Sequence, residues 1–162
     1  MITVKQARSV LSYNKRTGIF VWRKTLSNRA PAGTVAGTNS HGYVAIKVLG
    51  RIYRAHHLAW LIVKGRWPQP ELDHKNRQRS DNRWSNLREA TRQKNLGNTP
   101  IPRHNTSGVK GVHWHAPRRK WCAGICVNGK TIYLGLFAEK TKAKQVYFAA
   151  AKKHFREFAR AA

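Results

Sequence analysis

The sequence predicts an α+β protein made of two small modules, and three observations carry that prediction. Short runs of period-two alternation recur between turn residues, as in Gly42-Tyr43-Val44-Ala45-Ile46-Lys47-Val48, which Leu49-Gly50 turns and residues 51–54 return. Runs with helical apolar spacing separate those strands, as over residues 55–64. A polar stretch carrying Pro100, Pro102 and Asn105 then divides the chain, giving modules at 1–98 and 107–162 with a linker at 99–106.

Taken in order, residues 2–11 place Val4, Ala7, Val10 and Leu11 on one helical face. Residues 13–18 read as a turn and residues 19–22 as a strand leaving it. Residues 28–37, with Pro31, Gly33 and Gly37, form a loop, and the hairpin at 42–54 follows. The helix at 55–64 buries Leu58, Ala59, Leu61 and Ile62 and stops at Gly65 and Pro68. His56 and His57 at its start read as capping or packed histidines, with a metal-ligand role as the less ordinary alternative. Leu72 and Asp73 begin a strand, residues 75–85 form a polar loop broken only by Trp84, and Asn86-Leu87-Arg88 opens a second strand. Thr91 caps a helix running to Leu96, with Gly97 near its end. The second module reads as strands at 109–115, 121–127 and 131–137, with a basic turn at 116–120 and an Asn128-Gly129 type I′ turn. A helix capped by Thr141 closes it, with a stripe of Val146 or Tyr147, Ala150 or Ala151, His154 and Phe158.

Composition narrows the partners. The 162 residues hold 32 Lys plus Arg against six Asp plus Glu, a net charge of +26, spread along the whole length. Such a field favours a polyanion and weakens with salt. The longest wholly apolar run, residues 58–63, falls far short of the roughly 20 residues of a membrane span, and Lys5 and Arg8 interrupt any signal peptide. Cys122 and Cys126 are too few for a disulfide framework or a four-cysteine zinc site, and read as small core residues on one strand face of a cytoplasmic protein.

Chemistry concentrates between Asp73 and Asn95. A carboxylate in so basic a chain opposes nucleic-acid affinity unless it has a task, and a hard divalent cation supplies one. His74 beside it can accept a proton from water, and the amides of Asn86 and Asn95 can orient a base or offer a carbonyl oxygen to a metal. Neighbouring residues on a strand point to opposite faces, so Asp73 and His74 share a site only if the strand ends or twists there. A scissile phosphate between them would have Asp73 on the leaving-group side and His74 on the side of the attacking water.

At Leu72-Asp73-His74-Lys75-Asn76, Asp81-Asn82-Arg83, Ser85-Asn86-Leu87-Arg88, Ala90-Thr91 and Gln93-Lys94-Asn95 the chain resembles the HNH endonucleases, particularly those of phage and intron-encoded homing type. Gly42-Tyr43, Tyr53-Arg54-Ala55-His56 and Leu58-Ala59-Trp60 extend the resemblance over residues 10–98. It implies a ββα-metal motif at about 70–98. It also implies one divalent cation, Mg²⁺ with Mn²⁺ as a substitute, on Asp73 and Asn95, His74 as general base, and Asn86 holding the His74 ring. The metal would polarise the phosphate and stabilise the departing 3′ oxygen. The base must be neutral, and a surrounding positive field favours that form.

Gly108-Val109-Lys110-Gly111-Val112, Lys120-Trp121, Asn128-Gly129-Lys130 and Leu134-Gly135-Leu136-Phe137 resemble an AP2 domain over residues 107–160. That resemblance implies a three-stranded sheet lying in the DNA major groove, with Lys110, His113, His115 and Tyr133 at the reading positions. Lys and His contact guanine less well than Arg, so the family's target does not transfer. Lys110, Arg118, Arg119, Lys120 and Lys130 suit phosphate contacts.

These readings converge on a metal-dependent endonuclease acting on double-stranded DNA in the host cytoplasm. One site per chain suits a nicking monomer, whereas a dimer would cut both strands. Two competitors follow from the same residues. One is a DNA-binding regulator on an HNH scaffold that has lost cleavage. The other is an RNA-binding protein or ribonuclease using the six Trp, five Tyr and five Phe for stacking.

Overall fold

The computed structural model describes residues 1–159. Residues 160–162, which end the expected second module, lie outside the described residues. The protein is α+β, with small antiparallel sheets and short helices. It divides into two compact units, residues 1–90 and 91–162.

In the first unit, α1 (Val4–Val10) starts at a capping box, in which the Thr3 side chain accepts from the Gln6 amide and the Gln6 side chain accepts from the Thr3 amide. The chain passes directly into β1 (Leu11–Tyr13), which pairs with β2 (Phe20–Trp22) and buries Leu11, Phe20 and Trp22. A second sheet follows in the order β3 (Thr38–Ser40), β4 (Tyr43–Val48) and β5 (Arg51–Arg54). The next helix, α2 (Ala55–Lys64), packs on α1 and on β4 and β5. Ile46, Val48, Leu58 and Ala59 are wholly buried between these elements, each large side chain contributing about 1.5–3 kcal/mol of burial. On this base stands a two-stranded ribbon of β6 (Glu71–His74) and β7 (Leu87–Ala90). A 3-10 turn at Trp84–Asn86 leads into β7.

The second unit begins with α3 (Arg92–Asn98), capped by Thr91, whose side chain accepts from the Lys94 amide. A sheet of β8 (Val112–His115), β9 (Lys120–Val127) and β10 (Lys130–Phe137) follows, with β9 in the centre. Asn128 and Gly129 both take positive φ, as a type I′ hairpin turn requires. The helix α4 (Lys140–Phe155) lies across one face of the sheet and buries Ala143, Tyr147, Ala151 and Phe155, one residue in four. Gly111, at φ +63, has its backbone pressed on the Gly124 carbonyl and the Tyr147 ring, where no Cβ fits.

Several expectations change. Strand β1 stands where a helix end and a turn were expected, and β3 had no expected counterpart. The last helix starts at Lys140, so Thr141 lies inside it and caps nothing. Its buried stripe takes Tyr147 and Ala151, adds Phe155, and leaves Phe158 to a 3-10 turn at Arg156–Phe158. Cys122 and Cys126 do share a strand face, but it is the face opposite α4, and Cys126 is exposed. They are not core residues.

Candidate active site

The ribbon positions Asp73 and His74. Register pairs Asp73 with Arg88 and His74 with Leu87. The strand ends at His74, whose carbonyl accepts from the Arg77 amide in a tight turn. Both Asp73 and His74 are only 6% exposed. Asp73 Oδ2 accepts from Arg88 Nε at 2.9 Å and lies 2.8 Å from Arg88 Nη2. The buried carboxyl group thus sits directly against the Arg88 guanidinium.

His74 sits among aromatic rings. The His56 imidazole meets it edge-on at 4.7 Å between centroids, the Tyr43 ring lies at 6.2 Å, and Tyr43 and His56 are 5.4 Å apart. His57 meets His56 edge-on at 4.4 Å. Burial is the main cause that lowers the His74 pKa, and Arg79 adds to it. The Asn82 amide and the charges of Asp73 and Asp81 pull the other way, and the result remains below the ordinary histidine value. Burial does more here than the basic field expected to supply the neutral form. His56, 2% exposed, is pushed down to about 2 by burial, then by His57, His74 and Arg54. His57 is lowered by burial and by Arg54. His56 is packed in the first turn of α2 and does not cap it, since Arg54 is the N-cap residue. Its Nδ1 is buried without a hydrogen bond.

The loop between β6 and β7 is tied down along its length. Asn86 Oδ1 accepts from the Asn76 amide at 3.0 Å, and its Nδ2 donates to the Asp81 carbonyl at 2.8 Å. The Asn86 side chain therefore fastens the loop, where a direct hold on the His74 ring was expected. Asn82, 3% exposed, is the amide that stands beside His74, with its Oδ1 outside hydrogen-bond geometry and its Nδ2 on the Ser80 carbonyl. Arg83 grips Asp81 through Nε and Nη2 and holds that carboxyl down to about 2. From below, the β1–β2 hairpin supports the loop. Tyr13 donates its hydroxyl to the Asn82 carbonyl at 2.6 Å, and the Lys15 carbonyl accepts from the Trp84 amide. Gly18, at φ +75, brings its own backbone so close that an added Cβ would lie 2.5 Å from Arg83 N. Trp84 packs on Trp60 of α2 at 4.9 Å.

In the second unit, Asn95 lies in α3, with its backbone amide on the Thr91 carbonyl. Among the described residues no group of three or more His, Cys, Asp or Glu gathers as a metal cage. The donor set expected for the metal, one carboxylate and one amide carbonyl, is all hard oxygen. It suits a cation such as Mg²⁺ that keeps waters and substrate phosphate oxygens as ligands.

The sheet face opposite α4 carries His113, His115, Lys120, Thr131 and Tyr133, by register with Cys122 and Gly124. Tyr133 is 62% exposed, and Arg118, Arg119, Lys120 and Lys130 are all exposed. A shallow cavity on this face, lined by Asn105, His113, Thr131 and Tyr133, measures about 360 Å³. Lys110 departs from this group. It is 8% exposed, and its Nζ donates to the Gly97 carbonyl at 2.9 Å. The lysine ties α3 to the loop before β8, which removes it from the expected phosphate contacts.

Sequence reasoning underrated Asn82, Tyr43 and His56. Asn82 stood among ordinary turn residues, and the signal for His56 was only its place at a helix start beside a second histidine.

Residues 53–96 match the family described as HNH endonuclease. The matched window runs from β5 through α2, the ribbon and its loop into α3, so it includes Asp73, His74, Asn86 and Asn95. Over those residues the chain is thus similar to HNH endonucleases. Protein 3.8 of Escherichia phage T7 is 32% identical over 78 residues, which make up 48% of this chain and 64% of that protein, a little under two thirds of its length. No solved structure matches the chain. No helix among the described residues is long and apolar enough to cross a membrane.

Proposed function

We propose that this protein is a metal-dependent endonuclease of the homing type that hydrolyses a phosphodiester bond of double-stranded DNA. One observation carries the reading. Inside the HNH window, a buried histidine held neutral stands at the end of a strand, next to a buried carboxylate, in a chain of net charge +26. His74 takes the proton of the attacking water. Asp73 and Asn95 hold one divalent cation, Mg²⁺ with Mn²⁺ as substitute, which supplies Lewis acidity at the phosphate and at the departing 3′ oxygen. Asn86 is a positioning residue, acting through the loop that carries Asn82 to the imidazole. Arg88 balances Asp73 until DNA binds.

The nuclease module runs to residue 98, residues 99–106 link it, and residues 107–162 form an AP2-like module. His113, His115, Arg118, Arg119, Lys120, Lys130 and Tyr133 of that second module meet DNA. The chain works as a monomer that nicks one strand in the host cytoplasm.

One observation favours a second reading. Arg88 contacts Asp73 Oδ2 through two nitrogens, an arrangement that equally suits a structural ion pair in a DNA-binding regulator. Supercoiled plasmid incubated with the protein in Mg²⁺, Mn²⁺ or EDTA separates the two. Conversion to open circle that needs metal and is lost in His74→Ala is the expected result. Tight, salt-sensitive binding of plasmid that stays supercoiled in both metals would put the regulator first.

A further inference from the structure

Three arginines of the first unit are spent on carboxylates: Arg66 on Glu89, Arg83 on Asp81 and Arg88 on Asp73. Arg54 and Arg79 are different. Among the described residues neither makes an ion pair or a side-chain hydrogen bond, both are exposed, and both guanidinium groups rest over the same ring. Arg54 Cζ lies 4.1 Å from the centroid of Tyr43, and Arg79 Cζ lies 5.0 Å from it. That ring also stands 5.4 Å from His56 and 6.2 Å from His74. Two guanidinium groups from separate segments, the end of β5 and the loop after β6, are thus gathered on one aromatic side chain beside the base.

Like charges brought this close repel, and nothing within the first unit neutralises them. Stacking on Tyr43 covers a guanidinium face and leaves its N–H edge outward, the geometry that takes phosphate oxygens in a fork. Arg54 is also the N-cap residue of α2, and the first turn of that helix holds no acidic residue. A cation there opposes the helix dipole, and an arriving anion relieves both strains. The His56 Nδ1, buried without a partner in the same turn, marks this end of α2 as polar and unsatisfied.

We propose that Arg54 and Arg79, seated on Tyr43, form a clamp for a phosphate of the nucleic-acid strand that is cut at His74. This deepens the endonuclease reading and rests on it for the word "cut"; the clamp itself is a backbone contact. It sets the phosphate in place and reads no base.

Charge-matched variants test it. Arg54→Ala/Arg79→Ala removes two charges from the clamp, and Arg51→Ala/Arg77→Ala removes two from the same strand and loop away from Tyr43. Binding to a linear duplex is measured over a salt series, and nicking of supercoiled plasmid in Mg²⁺ is measured alongside. The clamp variant is expected to lower the slope of log K against log salt by about 0.9, the value of one phosphate contact. Its kcat should fall roughly a hundredfold through misplacement of the phosphate. The control variant should change both much less. Tyr43→Ala should reproduce part of the kcat loss, and Tyr43→Phe, which keeps the ring, should restore it. Equal effects of the clamp and control variants on slope and on nicking overturn the clamp and leave the endonuclease standing. A wild-type protein that nicks in no metal, with the clamp variant still losing slope, ends the endonuclease reading and keeps the clamp as a DNA contact.

Discussion

The histidines of the two units stand in opposite surroundings. His56 and His74 are buried against each other in the first unit, and burial is the main cause that keeps each deprotonated. His113 and His115 stand on the open face of the second unit's sheet, among exposed Arg118, Arg119 and Lys120. Proton transfer needs a group whose charge and orientation the protein controls, and control comes from excluding water. Binding a polyanion needs the reverse: charge left in water until the partner displaces counterions. A single strongly basic sequence therefore holds one region where burial matters and one where exposure does.

The largest expected effect breaks that comparison at its centre. His74→Ala should cut plasmid nicking by about 10²–10⁴, the range of a general base, while duplex affinity stays the same. If affinity fell in parallel with rate, His74 would be a binding residue and the two regions would do the same work.

A matched pair of glycines sharpens it further. Gly18 presses on the Asn82–Arg83 backbone under the loop between β6 and β7, and Gly111 presses on the Gly124 carbonyl of the second unit's sheet. Both have positive φ, so alanine adds strain to steric overlap, at about 1–3 kcal/mol for each source. Gly18→Ala should lower the melting temperature and stop nicking while duplex binding persists. Gly111→Ala should lower the melting temperature and weaken binding, and what DNA it still holds should be nicked. Loss of both activities in both variants would mean that the units do not act separately.

Much of this was legible in the sequence because it is local. Asn128-Gly129 dictates a hairpin, period-two runs dictate β4, β9 and β10, and Gly65 ends α2 at the expected residue. The Asp73-His74 pair at a strand end was legible for the same reason. What stayed hidden depends on contacts far apart in the chain. The Tyr13 hydroxyl reaches Asn82 across 69 residues, so nothing near Asn82 distinguished it from a turn asparagine. Strand β1 is three residues long and owes its form to pairing with β2. Asn86 stood out in the sequence as a ring-holding amide, yet its bonds go to Asn76 and Asp81 because the loop folds back over it, which no local pattern encodes.

Acid should affect the buried histidines in a defined direction. Above pH 6.5 neither the folded nor the unfolded chain protonates them. Below it the unfolded chain takes up protons that the folded protein refuses, and His56 refuses them down to about 2. For His56 stability should therefore fall by about 1.4 kcal/mol per pH unit, and His74 should add to the loss in the same direction. Urea unfolding at pH 7 and pH 5 should show this loss, and His56→Gln should reduce it. Nicking should fall on the acid side only at a pH below the ordinary histidine value, since the His74 pKa is lowered. A rate already halved at pH 7 would show a base that water reaches.

The smallest effect compares two lysines of the same unit that look alike in the sequence. Lys110 and Lys120 both sit in basic, strand-forming surroundings, and both were assigned to phosphate. Lys110 is buried on the Gly97 carbonyl and its charge does not face solvent, whereas Lys120 is exposed beside His115 on the open face. Methionine keeps the length and apolar stem of each side chain and removes only the ammonium. Lys110→Met should leave a carbonyl unsatisfied and cost about 1–3 kcal/mol of stability, with the salt slope of DNA binding unchanged. Lys120→Met should keep the melting temperature and lower that slope by about 0.9, one phosphate contact. The opposite pattern would require Lys110 to leave its partner on DNA binding, and the sheet would then meet DNA through residues that are buried in the free protein.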